Sequence, residues 1–175
     1  MAILGIDDFK SKLTGGGARP NLFQAIVNFP GFVDPDTELT SFLCKGASIP
    51  SSVIAPIDLM FRGRHLQMAG DRTFEPVSLT IINDSEYKVR NQFEVWMNGI
   101  NQHNNNTGLV DMNDYTADIV VEQLRKDGTV SKSYNLRGCW PTNLSAIELS
   151  YDTENAIEEF TVELQVQYWE SDTTT

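Results

Sequence analysis

The chain has 175 residues, 41% of them apolar, which is long enough for one well-buried core and short for two. Its 24 acidic residues outnumber its 13 basic ones and give a net charge of −11. That excess argues against a grip on nucleic acid, which needs clustered Lys and Arg, and against binding to an anionic membrane surface.

Residues 1–20 predict a flexible N-terminal arm. Ile6, Phe9 and Leu13 recur at helical spacing, and acidic residues precede basic ones, as the helix dipole favours. A helix this short is marginal by itself. The glycines at 15–17 that follow would act as a swivel.

The start of the chain and its cysteines predict the compartment. Asp7 and Asp8 stand where a signal peptide would be apolar, and no apolar run approaches membrane-spanning length. We therefore expect a cytosolic protein with Cys44 and Cys139 as reduced, buried thiols. A disulfide between them is the less favoured alternative.

A single domain is predicted at residues 21–170, followed by a short tail at 171–175. Residues 22–29 and 39–45 have the composition of two strands that pair around a proline turn. Residues 46–72 predict an inserted hairpin that is too apolar for an ordinary loop. It either packs on its own domain or projects and docks onto a neighbouring molecule.

One long helix is predicted at residues 84–99. Asn83 can cap it, Glu86 completes a capping box, and an apolar stripe follows at helical spacing. Further strands are predicted at 73–82, at 116–124 and 130–136 around an Asp-Gly turn, and at 147–151.

The last predicted strand, residues 157–169, is the longest. From residue 160 it alternates strictly, with an apolar face of Phe160, Val162, Leu164, Val166 and Tyr168. The opposite face offers carboxylates and amides, and no basic residue follows Arg137. The fold class is therefore mainly β (α+β): a barrel or sandwich of antiparallel strands with one flanking α-helix, a long extended hairpin and the N-terminal arm.

No catalytic, cofactor or metal site is recognisable in the sequence, which predicts a non-enzymatic protein. His65 and His103 lack a Ser or Cys motif nearby, and Glu158 and Glu159 point to opposite sides of a strand. A carbohydrate-binding or hydrolytic β-sandwich stays open as an alternative, with Trp140 and Trp169 as its candidate sugar platform.

Five blocks carry a specific resemblance. They are ARPNLFQ at 18–24, AGDRTF at 69–74, NDSE at 83–86, GCWPTN at 138–143 and QYWE at 167–170. In this order and spacing they resemble the tail tube proteins of T4-like contractile-tailed bacteriophages across nearly the whole chain. That family includes baseplate tube initiators and is related in fold to the tube proteins of contractile injection and type VI secretion systems, which stay open as alternatives.

The resemblance implies a structural subunit of the virion tail, assembled in the cytoplasm of a bacterial host. Six copies would form a ring, and rings would stack into a hollow tube. The implied partners are the protein itself, the tail sheath, the baseplate tube initiator, the tail terminator, a tape measure protein in the lumen and, in passage, double-stranded DNA, with no membrane. If each copy lends about four strands, some 24 strands about 4.8 Å apart enclose a bore wide enough for a duplex.

Two groups of candidate site residues follow from this resemblance. The candidates for the lumen wall, which would repel phosphate, are Glu122, Glu163, Gln165 and Gln167. The candidates for contacts between subunits or rings are Phe9, Arg19, Ile54, Ile57, Met60, Phe61, Arg62, Arg64, Met68 and Arg72.

Overall fold

The computed structural model describes residues 5–13 and 17–174. The helices are α1 (Ile6–Lys12), α2 (Thr37–Leu43), α3 (Lys88–Ile100) and α4 (Met112–Tyr115). The strands are β1 (Phe23–Val27), β2 (Cys44–Ala47), β3 (Ser52–Phe61), β4 (Arg64–Phe74), β5 (Val77–Ile82), β6 (Ala117–Leu124), β7 (Val130–Leu144), β8 (Glu159–Gln165) and β9 (Tyr168–Ser171). Strands pair antiparallel throughout, so the mainly β class is confirmed.

The main sheet is organised around β7, which is 15 residues long. The strand order is β1-β6-β7-β8-β5-β2, with β9 also on β7. The first part of β7 pairs with β6 and β9, and its last part pairs with β8. The change occurs at Gly138, whose φ of 59° suits glycine and bends the strand. Among the described strands β1 and β2 are not paired, so the sheet curls around its core without closing into a barrel.

One hydrophobic core lies inside this curled sheet. It is built from the alternating residues of β1, β5, β6, β7 and β8, among them Ala25, Leu79, Ile119, Leu136 and Val162, all fully buried. Helix α3 covers it with Val89, Phe93 and Trp96.

Aromatic contacts fix α3 on the sheet. The ring of Phe29 packs edge-on against Phe93 at 5.2 Å and Trp96 at 5.7 Å. The indole Nε1 of Trp96 donates a 2.6 Å hydrogen bond to the carbonyl of Tyr115. A buried Trp thereby satisfies its single donor, and the helix has one fixed orientation.

The long final strand is present but interrupted. β8 and β9 both run along β7, with Gln165 opposite Trp140 and Tyr168 opposite Arg137. The predicted alternation holds from Phe160 to Val166, which are buried on every second residue. It fails at Tyr168, which is exposed, because the bend at Gly138 shifts the pleat of both strands.

The strand predicted at 39–45 is wrong for most of its length. Residues 37–43 form α2, because the Asp36 carboxylate accepts a 3.0 Å hydrogen bond from Leu39 N and caps a helix there. Only the end of the predicted segment belongs to β2, which pairs with β5. The partner of β1 is β6, not this segment.

The helix predicted at 84–99 begins four residues later, at Lys88. Asn83 does not cap it: its N and Nδ2 donate to the carbonyl and carboxylate of Glu158, at 2.8 and 2.9 Å. Glu86 pairs instead with Lys88 at 2.7 Å. A tertiary contact across the sheet edge has replaced the local capping box.

The hairpin predicted around Asp127-Gly128 is found as β6–β7, with Leu124 opposite Val130. The strand predicted at 147–151 is not formed, and those residues lie in a loop. The tail begins one residue later than predicted, because Ser171 is buried at the end of β9.

Candidate functional site

The segment at 46–72 projects from the domain instead of packing on it. β3 and β4 form a separate two-stranded sheet in which nearly every residue is exposed. Arg62 and Gly63 close it with φ of 47° and 83°, the pair of positive values that a tight type I′ turn requires. Of the two alternatives left open by composition, the structure has the projecting one.

The hairpin continues the β2–β5 ladder beyond the body. Ala47 lies opposite Leu79, and five residues further on each strand Ser52 lies opposite Phe74. Pro50 and Pro76 fall in the gap, where neither can donate a ladder hydrogen bond. The β2–β5 ladder and the β3–β4 hairpin therefore keep the same register across the unpaired residues between them.

One face of the hairpin is almost wholly apolar. Cross-strand pairing places Ile57 with Met68, Leu59 with Leu66, and Phe61 with Arg64 on that face. The five apolar side chains are 46–66% exposed. A two-stranded ribbon is marginal in water, and a contiguous apolar patch marks a contact site. We call these six residues the hairpin face.

The other contact candidates on the hairpin lie around this face. Met60 points to the opposite side, beside His65. Ile54 and Arg72 are paired at the base, below a bulge at Gly70. Arg62 lies in the turn, with its guanidinium 5.3 Å from the ring centroid of Phe61. The structure thus gathers most of the predicted contact residues on one projection.

Phe9 and Arg19 belong to the arm. Phe9 lies on α1 with Ile6 and Leu13, and all three are exposed, so this apolar stripe has no cover within the described residues. The predicted swivel falls largely outside the described residues, at Gly15 and Gly16. Beyond it the arm is fastened: Gln123 Nε2 donates to the carbonyls of Arg19 and Leu22 at 2.7 and 2.6 Å.

Ion pairing divides the basic residues by region. Six of the 13 pair with a carboxylate, and five of these six lie on the domain body. The other seven have no ion pair within residues 5–13 and 17–174, and they lie on the arm, the hairpin and the β6–β7 turn: Lys12, Arg19, Arg62, Arg64, Arg72, Arg125 and Lys126. Sequence reasoning missed Lys12, Arg125 and Lys126, although the Arg-Lys pair beside the Asp-Gly turn was a usable signal.

Three of the four lumen candidates lie along the second half of β7. Glu163 is exposed opposite Ser78 on β5 and Asn143 on β7, and Gln165 lies opposite Trp140. Gln167 is exposed at the break between β8 and β9. We call the outward surface of Ser78, Thr80, Asn143, Thr161, Glu163 and Gln165 the β8 face. These six residues include one carboxylate and no cation, and at the start of the same side of β8 Glu159 pairs with Lys45.

Glu122 lies elsewhere. It is opposite Gln24 and Ser133, ten residues of β7 away from Asn143, or about 33 Å of strand. Nearby on that outward surface, Arg137 bridges Asp118 at 2.6 Å and Glu170 at 3.6 Å. The hydrogen bond with Asp118 raises the pKa of this guanidinium. No sequence pattern indicated that a paired arginine stands among these acids.

The possible metal ligands of the described chain are dispersed. Within residues 5–13 and 17–174, no three His, Cys, Asp or Glu side chains gather as a metal site would require. Burial raises the pKa of Cys44 to about 11 and that of Cys139 to about 12, so both stay unreactive thiols. No helix in this part of the chain has the length and apolar character for crossing a membrane.

The candidate sugar platform is not formed by Trp169. Its ring is half-buried against Tyr134 at 5.8 Å and Phe74 at 6.4 Å. Its Nε1 donates to the carbonyl of Ser51 at 3.2 Å. This tryptophan joins β9 to the base of the hairpin.

Comparison with known proteins identifies the family of this chain. Residues 18–172 match the family model described as phage tail tube protein. The chain belongs to the phage tail tube protein family. It is 33% identical over 168 residues to tail tube protein gp19 of Enterobacteria phage T4, covering 94% of this chain and 99% of that one. It is 34% identical to gp19 of Enterobacteria phage T6, with the same coverage.

The tail tube fold extends to more distant structures. The sheath–tube complex of the PVC extracellular contractile injection system, in its extended state, includes a chain with a TM-score of 0.67 at 14% identity. The match covers 93% of this chain and 96% of that chain. At that identity the likeness concerns the fold.

Proposed function

We propose that this protein is the structural, non-enzymatic subunit of a contractile phage tail tube, in which hexameric rings stack into a hollow cylinder. The observation that carries the proposal is the hairpin face: five half-exposed apolar side chains on a ribbon that no other part of the described chain covers. In a family of tail tube proteins, further copies of the chain are the natural cover.

The hairpin suits a contact between neighbours in a ring. It prolongs the β2–β5 ladder past the body, so it reaches where an adjacent copy would sit. Docking there buries the hairpin face, and pairing also covers strand edges that a free subunit leaves open. The arm, with Phe9, would form a second contact, either between rings or between subunits of one ring.

Charge favours the same arrangement. Residues 46–72 contain Arg62, Arg64 and Arg72 against Asp58 and Asp71, a net charge of +1 (three minus two), whereas the whole chain has a net charge of −11. A basic projection is therefore attracted to the acidic body of the next copy, which selects the docking orientation.

For the lumen wall we propose the β8 face together with Gln167. The carboxylate there repels phosphate, and the hydroxyl and amide groups add no positive charge that would bind it. A DNA duplex can therefore slide along this wall without being trapped. Glu122 would belong to the same wall only if the wall runs the length of β7. The sheath, tube initiator, terminator and tape measure protein are the further partners that this role requires, and the protein would reside in the virion tail.

Electron microscopy of the purified full chain tests the assembly. We expect concentrated protein to form hollow tubes with six-fold end-on views. Protein that stays monomeric under every assembly condition would contradict the proposal. A short stack on a purified baseplate, without free tubes, would indicate a tube initiator instead.

The lumen assignment has its own test. Glu163→Lys/Gln165→Lys places cations on the β8 face, and Asn91→Lys/Glu94→Lys makes the same change in charge on the exposed side of α3. We expect tubes of the first variant to hold short duplexes that resist nuclease, with binding that weakens steeply with salt. Tubes of the second should bind DNA that nuclease degrades. The reverse pattern would place the β8 face outside.

A further inference from the structure

A basic cleft lies where β7 begins. It has a volume of about 330 Å³ and lies between the fastened part of the arm and the β6–β7 turn. Its lining includes Ala18, Leu22, Leu124 and the three cations Arg19, Arg125 and Lys126. Leu22 and Leu124 are half-buried, so the cleft has an apolar floor and a charged rim.

The cations of this cleft outnumber the acids of its lining by three to one. None of the three forms an ion pair in the described chain. One carboxylate, Asp127, also lines the cleft. It accepts from N and Oγ1 of Thr129 at 3.0 and 2.6 Å, and these bonds, with a smaller contribution from the charge of Arg125, lower the pKa of Asp127. Three unpaired cations around one apolar floor fit an acidic segment that carries an aromatic or aliphatic anchor.

Such a segment is present where β7 ends. The loop after Leu144 contains Glu148, Asp152 and Glu154, none of them in an ion pair within the described residues, and no basic residue. Between these acids Leu149 is 76% exposed and Tyr151 is 106% exposed, as open as in an extended peptide. This exposed aromatic ring and the acids beside it are complementary to the apolar floor and the basic rim of the cleft.

The two features cannot meet within one molecule. They lie at opposite ends of β7, whose 15 residues span roughly 50 Å. A contact between different patches on two copies is heterologous, and repetition of such a contact generates an open stack. Complementary surfaces at the two ends of one strand are what head-to-tail stacking requires.

We propose that residues 148–154 of one copy seat in the basic cleft of the next copy along the tube. Tyr151 lies against Leu22 and Leu124, and the acids face Arg19, Arg125 and Lys126. This proposal rests on the tail tube function and assigns the contact between rings, whereas the hairpin face serves contact within a ring. Because this contact joins exposed charges, which salt screens, stacking should weaken as the salt concentration rises.

Charge reversal at each end tests the contact. We expect Arg125→Glu/Lys126→Glu and Asp152→Lys/Glu154→Lys each to form rings but roughly tenfold fewer tubes than the unchanged protein. Combining all four substitutions in one chain should restore tubes. The control Glu38→Lys/Glu94→Lys makes, on α2 and α3, the same change in charge as Asp152→Lys/Glu154→Lys, and it should stack normally. Normal tubes from either reversal, or no recovery in the combined variant, overturn the proposal.

A crosslink gives a second readout that does not depend on the reversed variants folding. Ser131→Cys/Tyr151→Cys puts one thiol at the cleft and one on the loop, while of the native thiols Cys139 is buried and Cys44 partly buried. Oxidised tubes should give a ladder of covalent oligomers, and oxidised monomers should not. Tubes without a ladder overturn this contact. If the unchanged protein forms neither rings nor tubes, that result contradicts the proposed tail tube function itself and not this particular contact.

Discussion

The body and the projections of this subunit follow opposite rules of burial and charge. In the body, alternating strands and α3 enclose a core of fully buried side chains, and every basic residue outside the β6–β7 turn has a carboxylate partner. On the hairpin and the arm, large apolar side chains are exposed and most cations are unpaired. The exposed apolar side chains of the hairpin and the arm, like those of the loop at 148–154 on the body, therefore mark where other copies bind.

This division separates stability from assembly. Substitutions in the body should change the free energy of unfolding of the isolated subunit and leave the surfaces intact. Substitutions on the projections should change assembly and leave the subunit folded. The predictions below are ordered by their expected effect on the isolated subunit, from the largest to the smallest.

Truncation of the helix–sheet contact should have the largest effect. Phe93 is fully buried and packs on Phe29 and Trp96. Phe93→Ala leaves a cavity and should lower the free energy of unfolding by about 3–5 kcal/mol. Urea denaturation followed by circular dichroism measures this loss. A loss below about 1 kcal/mol would mean that α3 is not part of the core.

Sequence patterns predicted the body well where burial alone decides the structure. The alternation from Phe160 to Val166 and the stripe of Val89, Phe93 and Trp96 both give buried faces. They failed where a single specific contact decides, whether it is local or joins distant parts of the chain. Asp36 turned a predicted strand into α2, and Glu158 drew Asn83 away from its predicted cap.

The candidate site was also predictable only in part, because composition is visible in the sequence and specific contacts are not. An apolar composition at 46–72 is visible in sequence, and so is the hairpin that it suggests. Which residues share the hairpin face depends on the register set by the turn at Arg62 and Gly63 and the bulge at Gly70. The separation of Glu122 from Glu163 depends on the bend at Gly138, which one alternating pattern cannot reveal.

The bulge at Gly70 offers an intermediate effect confined to the hairpin. A Cβ at Gly70 would lie 2.6 Å from the carbonyl oxygen of Ala55, so one strand must shift. Gly70→Ala should weaken local pairing by about 1–3 kcal/mol, without changing global unfolding. Hydrogen exchange should then accelerate at the hairpin amides alone. Gly31→Ala is the control, because no atom lies within 4 Å of a Cβ placed there. It should alter neither the global free energy of unfolding nor hydrogen exchange in the hairpin.

Charging the hairpin face should hardly affect the isolated subunit and should abolish tubes. Leu59 and Leu66 are a cross-strand pair, both about half exposed. Leu59→Asp/Leu66→Asp should change the free energy of unfolding of the body by less than about 0.5 kcal/mol. Assembly should nevertheless stop, because docking would bury two carboxylates.

The opposite face of the hairpin provides the matched control for that variant. Met60→Asp/Gln67→Asp adds the same charges beside Asp58 and His65. It should retain more assembly than the variant of the hairpin face, as counted by sedimentation and electron microscopy. Equal loss in both variants would show that the ribbon docks through both sides.

The thiols of the body should show the smallest effect of all. Burial raises the pKa of Cys44 to about 11 and that of Cys139 to about 12, so the neutral thiol is the form that folding favours. This contribution to stability is complete below the unfolded pKa near 8.5 and is lost as pH rises towards the folded values. At about pH 8, iodoacetamide should therefore label neither cysteine in the folded subunit and both in urea. Rapid labelling of Cys44 alone would show that its end of the sheet opens, placing β2 with the projections instead of the body.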